Sequence, residues 1–148
     1  MNRPAVLFTI GYEGSDVKSF ISRLEQSRIR RVVDVRDVPL SRKPGFSKTP
    51  LRAKLEREGI EYVHIRQLGS PKAIRNRLKE DADYASFFGS FSTYLDDQQM
   101  AIDEAYRNAC EATCCLMCFE RMPDKCHRSM VAEKIRLRDG NGLQVINI

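Results

Sequence analysis

Five short apolar runs, separated by stretches with helical periodicity, constrain the fold of this chain more than any other feature. The first run, 6–10, stops at Gly11, and the second, 31–36, is rich in valine. Apolar runs of this length between turn residues are typical of buried strands. The remaining runs are 60–65, 113–119 and 143–148. Since strands that alternate with helices build right-handed βαβ units, we predict an α/β fold, three-layered, with a largely parallel central sheet of about five strands flanked by helices.

The first two predicted helices have recognisable starts. Val17, Phe20 and Leu24 recur at helical spacing after Ser15, which we expect to be the N-cap. The second helix is predicted to start at Thr49-Pro50, with proline at its first position, and to end at Gly59.

A long segment, 72–112, has a helical pattern with a predicted break near Asp96. We expect its aromatic stripe to be part of the core, because such stripes pack against neighbouring elements: Tyr84, Phe87, Phe88, Phe91, Tyr94 and Leu95. The last helix is predicted over about 126–138.

The composition is that of a globular protein, and we expect a single domain over 1–148. Hydrophobic residues make up 42% and charged residues 30% of the chain. No apolar run approaches a membrane span, and no cleavable signal is visible. The five cysteines are odd in number and clustered, which favours a reducing cytoplasm over a secreted disulfide framework: Cys110, Cys114, Cys115, Cys118 and Cys126.

Polar residues follow three of the predicted strands. Because ligands of open α/β sheets bind beyond the carboxyl ends of the strands, we expect these residues to form one site. The three groups are Gly11, Tyr12 and Glu13, then Asp34, Arg36 and Asp37, then Glu120, Cys126, His127 and Arg128.

The third group lies near a predicted helix start, where backbone N–H groups and the helix dipole attract anions. Arg128 adds a guanidinium suited to phosphate, and the same field would lower the pKa of Cys126. We do not expect Cys126 and His127 to act as a nucleophile and base, because adjacent helical residues point about a quarter-turn apart. The spacing also differs from that of cysteine phosphatases, since Ala132 stands where they have arginine.

The spacing of the cysteines does not by itself identify a metal site. Cys115 and Cys118 have C-x-x-C spacing, but residues three apart on a strand point to opposite faces, so we expect two core thiols. An alternative set for zinc combines Cys118 with Cys126, His127 and a carboxylate, although its spacing is not a known finger pattern.

Asp34 and Arg36 share one face of a strand. Asp34 is either an acid or base or one half of a structural ion pair. Ser41 and Arg42 lie in a proline-containing loop, 37–48, that is either a closing lid or plain surface. His64, alone in an apolar strand, is expected to be structural.

Several blocks of sequence together resemble the bacterial and archaeal family called domain of unknown function 488. The blocks are Thr9-Ile10-Gly11-Tyr12-Glu13, 33–42, 59–62, 68–70 and 118–128, in that order along nearly the whole chain. The resemblance implies an α/β fold and the motif positions Tyr12, Asp34, Arg36, Ser41, Arg42, Glu120, Cys126, His127 and Arg128. At Gly11-Tyr12-Glu13 this chain departs from the Gly-His-Ser of many relatives, which puts a mechanism using that histidine in doubt.

These observations predict a small enzyme that acts on an anionic, phosphate-bearing substrate such as a nucleotide. The candidate catalytic residues are Asp34, Glu120, Cys126 and His127, and the candidate substrate-binding residues are Tyr12, Arg36, Ser41, Arg42 and Arg128. The net charge of +5 agrees with a small anionic ligand, but no sequence signature supports nucleic-acid binding. A non-catalytic anion or nucleic-acid binding module and a metal-dependent hydrolase are the alternatives, and no membrane partner, cofactor or oligomeric state is predicted.

Overall fold

The fold is an α/β sandwich around one parallel sheet. A computed structural model describes residues 4–148. Its five strands are β1 (Val6–Gly11), β2 (Arg31–Asp34), β3 (Glu61–His64), β4 (Cys114–Cys118) and β5 (Gln144–Asn147). All pair in parallel in the order β3-β2-β4-β1-β5, which confirms the predicted fold class.

Six helices cover the two faces of the sheet. They are α1 (Val17–Gln26), α2 (Lys48–Arg57), α3 (Lys72–Asp81), α4 (Tyr84–Asp96), α5 (Gln99–Glu111) and α6 (Arg128–Asp139). Helices α1 and α2 pack on one face, while α4, α5 and α6 pack on the other. Among the described residues no helix is both long and apolar enough to cross a membrane.

Strand β4 is buried on both sides, and its side chains divide between two cores. Cys115 packs with the residues of α1 and α2, whereas Cys118 packs with those of α4 to α6. The expectation that these two cysteines point to opposite faces is therefore confirmed, and it follows from the period of two along a strand.

Helix α1 begins one residue later than expected. The N-cap is Asp16, whose carboxylate accepts a hydrogen bond from the backbone N–H of Ser19 at 2.7 Å. The prediction that Ser15 caps this helix is wrong, because the Ser15 hydroxyl accepts a bond from the Arg23 guanidinium at 3.0 Å instead.

The segment 72–112 breaks twice rather than once. Ala82 adopts a left-handed conformation with φ of +52° and ends α3, and Asp83 then caps α4. The predicted break near Asp96 is confirmed. Phe87 and Phe91 are buried, but Tyr84 is 39% exposed, so only part of the aromatic stripe is core.

The last helix starts at Arg128, two residues after the predicted start. A 3₁₀ turn, Pro123–Lys125, precedes it, and Cys126 is extended, with φ of −124° and ψ of 139°. His127 is the N-cap residue. This irregular entry into α6 decides the geometry of the site described below.

The directions in which the chain leaves the central strands determine where a crevice opens at the edge of the sheet. The chain leaves β1 and β2 toward helices on one face of the sheet, whereas it leaves β4 toward α6 on the other face. Crevices open where neighbouring strands send their chains to opposite faces, and ligands of open α/β sheets bind there.

Candidate functional site

A pocket of about 640 Å³ lies at the carboxyl ends of β1, β2 and β4. It is lined by six of the residues predicted from the sequence: Tyr12, Arg36, Ser41, Arg42, Glu120 and His127. Asp34, Cys126 and Arg128 lie beneath this surface, fully or almost fully buried. The three polar groups that follow the strands therefore converge, as the sequence predicts.

Two glycines allow the loops of the site to lie against the strand ends. A Cβ on Gly11 would collide with the carbonyl oxygen of Glu120, and one on Gly69 would collide with the backbone of Asp37. Because backbone atoms cannot move aside as a flexible side chain can, any side chain at either position would displace a wall of the pocket.

Asp34 and Arg36 form a buried, bidentate ion pair. The Arg36 Nε donates to one carboxylate oxygen at 2.9 Å and Nη2 to the other at 2.7 Å. The Tyr62 hydroxyl also donates to Asp34. Burial opposes the charge of Arg36, but the bonds and charge of Asp34 outweigh it and raise the pKa of Arg36. Asp34 is thus held by protein groups, an arrangement that favours the structural-pair alternative.

Tyr12 connects this ion pair to the pocket. Its ring stacks on Phe46 with centroids 4.4 Å apart and meets Phe119 edge-on at 5.4 Å. Its hydroxyl accepts a bond from Arg36 Nη1 at 3.3 Å, and the same Nη1 donates to the Phe46 carbonyl at 2.7 Å. The Arg36 side chain is therefore largely engaged in holding the wall of the pocket together.

Arg128 is a second buried guanidinium, with different partners. Its Nε donates to the Thr9 hydroxyl at 3.1 Å, Nη1 to Cys118 Sγ at 3.3 Å and to the Glu120 carbonyl, and Nη2 to the Arg121 carbonyl at 3.1 Å. It is 0% exposed, and burial lowers the pKa of its side chain. The structure therefore places Arg128 under the loop after β4 and not on the ligand-accessible surface.

Cys118, Glu120, Cys126 and His127 gather beside Arg128. One ligand atom from each lies within 4.8 Å of the others. The sulfur atoms of Cys118 and Cys126 are joined in a disulfide, and a Glu120 carboxylate oxygen lies 3.7 Å from Cys118 Sγ. These residues come from the end of β4 and the start of α6, so the helix entry brings them together.

His127 lies against Cys126, contrary to the expectation from helical geometry. The Cys126 Sγ and His127 Nδ1 are 3.8 Å apart, because Cys126 is extended and precedes the helix. His127 Nε2 is 2.6 Å from the Val35 carbonyl, to which it donates, leaving Nδ1 to face the sulfur. Burial lowers the pKa of His127 to about 4, and burial raises the pKa of Glu120.

Cations form one side of the pocket. Arg42 and Lys79 are exposed, and Arg75 pairs with Asp37 at 2.9 Å. Arg75 and Lys79 belong to α3, a helix with no buried residues. Sequence analysis missed both, because they lie more than thirty positions from the loop they face and the helical pattern gives no sign of that contact.

Ser70 is another lining residue that the sequence did not identify as a site residue. It is 2% exposed, and its hydroxyl oxygen has no hydrogen-bond partner among the described residues. Buried hydroxyls are normally paired, so this unpaired one on the pocket lining has a free hydrogen-bonding position toward the pocket. The only sequence signal for it was the Leu68-Gly69-Ser70 block of the resemblance.

The remaining candidates have structural surroundings. His64 Nε2 is 2.7 Å from the Arg36 carbonyl, as expected for a structural histidine. Ser41 lies on the pocket wall, where its backbone N–H donates to the Ser47 hydroxyl at 3.0 Å and its own hydroxyl accepts from the Lys43 N–H. The loop that carries Ser41 and Arg42 is thus held by internal hydrogen bonds.

Comparison with known proteins gives one match. No curated protein and no solved structure matches the chain. A family model described as Domain of unknown function DUF488 matches residues 16–135, which span α1 to α6 and include all the pocket residues except Tyr12. The chain therefore belongs to the DUF488 family.

Proposed function

We propose that this protein is a small enzyme that acts on an anionic, phosphate-bearing substrate in the pocket at the carboxyl ends of β1, β2 and β4. One observation carries the proposal. A cationic wall of Arg42, Arg75 and Lys79 faces a floor that contains Glu120 and His127. Binding groups and reactive groups thus share one cavity, the arrangement expected of an active site.

The charges of the wall favour an anion. With Arg36, four cations line the pocket, against the two carboxylates of Asp37 and Glu120. Arginine offers a planar set of donors that matches the oxygens of a phosphate group. The unpaired hydroxyl of Ser70 adds a neutral donor to the same surface.

The floor supplies the reactive groups. Glu120 and His127 reach the pocket surface, and Cys126 touches His127 from below. In this proposal they move protons or polarise the substrate, while Asp34 and Arg36 position the wall and Arg128 positions the loop after β4. The roles of Asp34, Arg36 and Arg128 are therefore supporting ones, whereas the sequence alone suggested direct contact with the substrate.

The mouth of the pocket is apolar and suits the organic part of a phosphate ester. Val38, Leu40 and Phe119 line it, and they are 50%, 70% and 44% exposed. An aromatic ring beside a cationic wall can stack against a planar group such as a nucleotide base. A nucleotide therefore fits the pocket better than inorganic phosphate does.

The test is a thermal-shift screen of the purified chain against phosphate, sulfate, nucleotides and other phosphate esters. A ligand at a hundred times its dissociation constant stabilises a fold by about 2.7 kcal/mol, which is readily measured. Any ligand that stabilises the wild-type chain should no longer stabilise the Arg42→Ala/Lys79→Ala double variant. The matched control is Lys54→Ala/Arg57→Ala on α2, which removes the same charges far from the pocket.

Each result decides between the candidate functions. Stabilisation by a phosphate ester, lost in the pocket variant alone, followed by turnover of that ester, supports the enzyme. Stabilisation without turnover supports a non-catalytic binding module. Equal responses from the pocket variant and the control would contradict the proposal, because the pocket would then have no part in binding.

A further inference from the structure

The cluster of Cys118, Glu120, Cys126 and His127 has the composition of a metal site. It offers two sulfurs, one imidazole nitrogen and one carboxylate oxygen, all within 4.8 Å of one another. Four ligands of this kind suit the tetrahedral preference of zinc, and the soft sulfurs disfavour magnesium and calcium. We propose that these four residues bind one zinc ion when Cys118 and Cys126 are reduced.

The backbone spacing of the two cysteines suits a shared ion. Their Cα atoms are 7.5 Å apart, whereas cysteines linked by a disulfide usually have Cα atoms about 4.4–6.8 Å apart. Two thiolates that share one tetrahedral ion lie farther apart than two sulfurs bonded to each other. The main chain thus places the pair at a separation that a metal ion fits better than a covalent bond.

The buried positive charge of Arg128 is a second, independent reason to expect a thiolate at Cys118. The guanidinium is 0% exposed, and it has no ion pair among the nine found in the part of the chain that the structure describes. A buried charge without a counter-charge is strongly destabilising. Arg128 Nη1 donates to Cys118 Sγ at 3.3 Å, so a thiolate at Cys118 would be its counter-ion.

The formal charges then balance. Two thiolates and the Glu120 carboxylate carry three negative charges, zinc carries two positive charges, and Arg128 supplies the third. The zinc ion binds the dithiol form and releases the two thiol protons to solvent, with no change of oxidation state. A neutral thiol or a disulfide would leave Glu120 as the negative charge near Arg128, without a hydrogen bond between the two side chains.

The groups around the four ligands hold them in place. His127 Nε2–H donates to the Val35 carbonyl at 2.6 Å, which fixes the tautomer and leaves Nδ1 for the ion. The backbone N–H of Arg128 points at Cys126 Sγ, 3.5 Å away. Both thiolates therefore accept an N–H hydrogen bond, and the N-terminus of α6 adds a favourable dipole.

Cys118, Glu120 and His127 line the pocket, whereas Cys126 does not. An ion held by the four residues would therefore lie at the floor of the pocket, where a water molecule or a substrate oxygen can replace the Glu120 carboxylate. An ion in this position would polarise a phosphate oxygen or activate a bound water. That use of the ion rests on the proposed function, but the binding of zinc does not.

The experiment uses the untagged full chain, reduced with a phosphine, loaded with zinc, dialysed, and analysed for metal content by plasma mass spectrometry. We expect one zinc per chain. Cobalt substitution should give thiolate-to-cobalt charge-transfer absorption. Cys118→Ser and Cys126→Ser should each weaken zinc binding at least about 100-fold, since even the loss of an outer hydrogen-bond partner costs 10–100-fold. Cys110→Ser, which changes a cysteine outside the cluster, should bind normally.

Three results would overturn the inference. The first is that the folded, reduced protein binds no stoichiometric zinc. The second is that the Cys118→Ser/Cys126→Ser double variant retains zinc. The third is that the cobalt-substituted protein shows no thiolate-to-cobalt absorption band. Circular dichroism shows whether each variant is folded, and Glu120→Gln provides a milder change that should weaken zinc while preserving the fold. Zinc binding without any response to phosphate esters would uphold the inference and contradict the proposed function, so the two can fail separately.

Discussion

Two buried arginines at the same edge of the sheet have opposite surroundings. Arg36 faces Asp34 across two hydrogen bonds of 2.9 and 2.7 Å, and the carboxylate is completed by Tyr62. Arg128 donates to a hydroxyl, a sulfur and two carbonyls, and to no carboxylate. We call the first group the Asp34 network and the second the Arg128 cluster.

The two groups differ in whether their charges are balanced within the chain. In the Asp34 network each charge has its opposite, so the network needs nothing from outside the chain. In the Arg128 cluster no carboxylate is bonded to the guanidinium, although Glu120 lies near it, and the sulfurs beside it can add negative charge only as thiolates. Sequence motifs place both groups at strand ends alike, but the first fits a scaffold and the second fits a place for an ion.

The largest expected effect comes from the Asp34 network. Asp34→Ala leaves the buried Arg36 guanidinium without its counter-ion, and breaking a buried pair in this way costs about 3–5 kcal/mol of unfolding free energy. Urea denaturation measures the loss. The control is Asp103→Ala, which breaks an exposed pair with Arg138 and should cost at most about 1 kcal/mol. Equal losses would contradict a structural role for the network.

Strand β4 carries one cysteine in the core, Cys114, and one in the Arg128 cluster, Cys118, so their reactivities can be compared. Cys114 is buried in the core, and burial raises its pKa to about 12, so its thiolate fraction near neutral pH is about a thousandfold below that of an ordinary cysteine. Alkylation of the native, zinc-loaded protein should modify Cys110, which is half-buried, and spare Cys114. Removal of zinc should leave Cys118, which lines the pocket, free to react as a thiolate, while Cys114 in the core stays protected. Modification of Cys114 at the rate of Cys110, read by peptide mass spectrometry, would refute this division.

A substitution of Arg128 tests whether its charge supports zinc binding by the neighbouring thiolates. Arg128→Met keeps much of the side-chain volume and removes the charge next to Cys118, so zinc affinity should fall about 10–100-fold, as for other outer partners of a metal site. Competition with a chromogenic chelator measures the affinity. Arg36→Met is the matched control, and it should lower stability while leaving the zinc affinity of the folded protein unchanged. Equal zinc affinity in both variants would show that Arg128 does not balance the ligand charge.

The smallest expected effect on stability is at Ser70. Because its buried hydroxyl has no partner, Ser70→Ala should change the unfolding free energy by no more than about 0.5 kcal/mol. Binding of a phosphate ester should weaken several-fold, because the ligand loses a donor. Calorimetry of unfolding and of binding on the same preparations separates the two effects. A large loss of stability would mean that the hydroxyl has an internal partner and is not a ligand contact.

The sequence came closest where contacts are local. Asp34 and Arg36, two positions apart, were placed on one face and do pair, and the period of two along β4 separated Cys115 from Cys118. It was wrong where a single residue leaves the regular pattern. Cys126 and His127 touch because Cys126 is extended, and Ala82 ends a helix with a left-handed conformation that no proline or glycine announces.

By itself, then, the sequence determined the parallel α/β sheet and the edge at which the polar residues gather, because both follow from short-range periodicity and from the common direction of parallel strands. Only the tertiary structure decided which residues line the pocket and which are buried beneath it. It brought Ser70, Arg75 and Lys79 to the pocket wall and put Asp34 and Arg128 beneath it. The cause is physical: burial and the balance of charge depend on neighbours that are distant along the chain, and no local pattern encodes them.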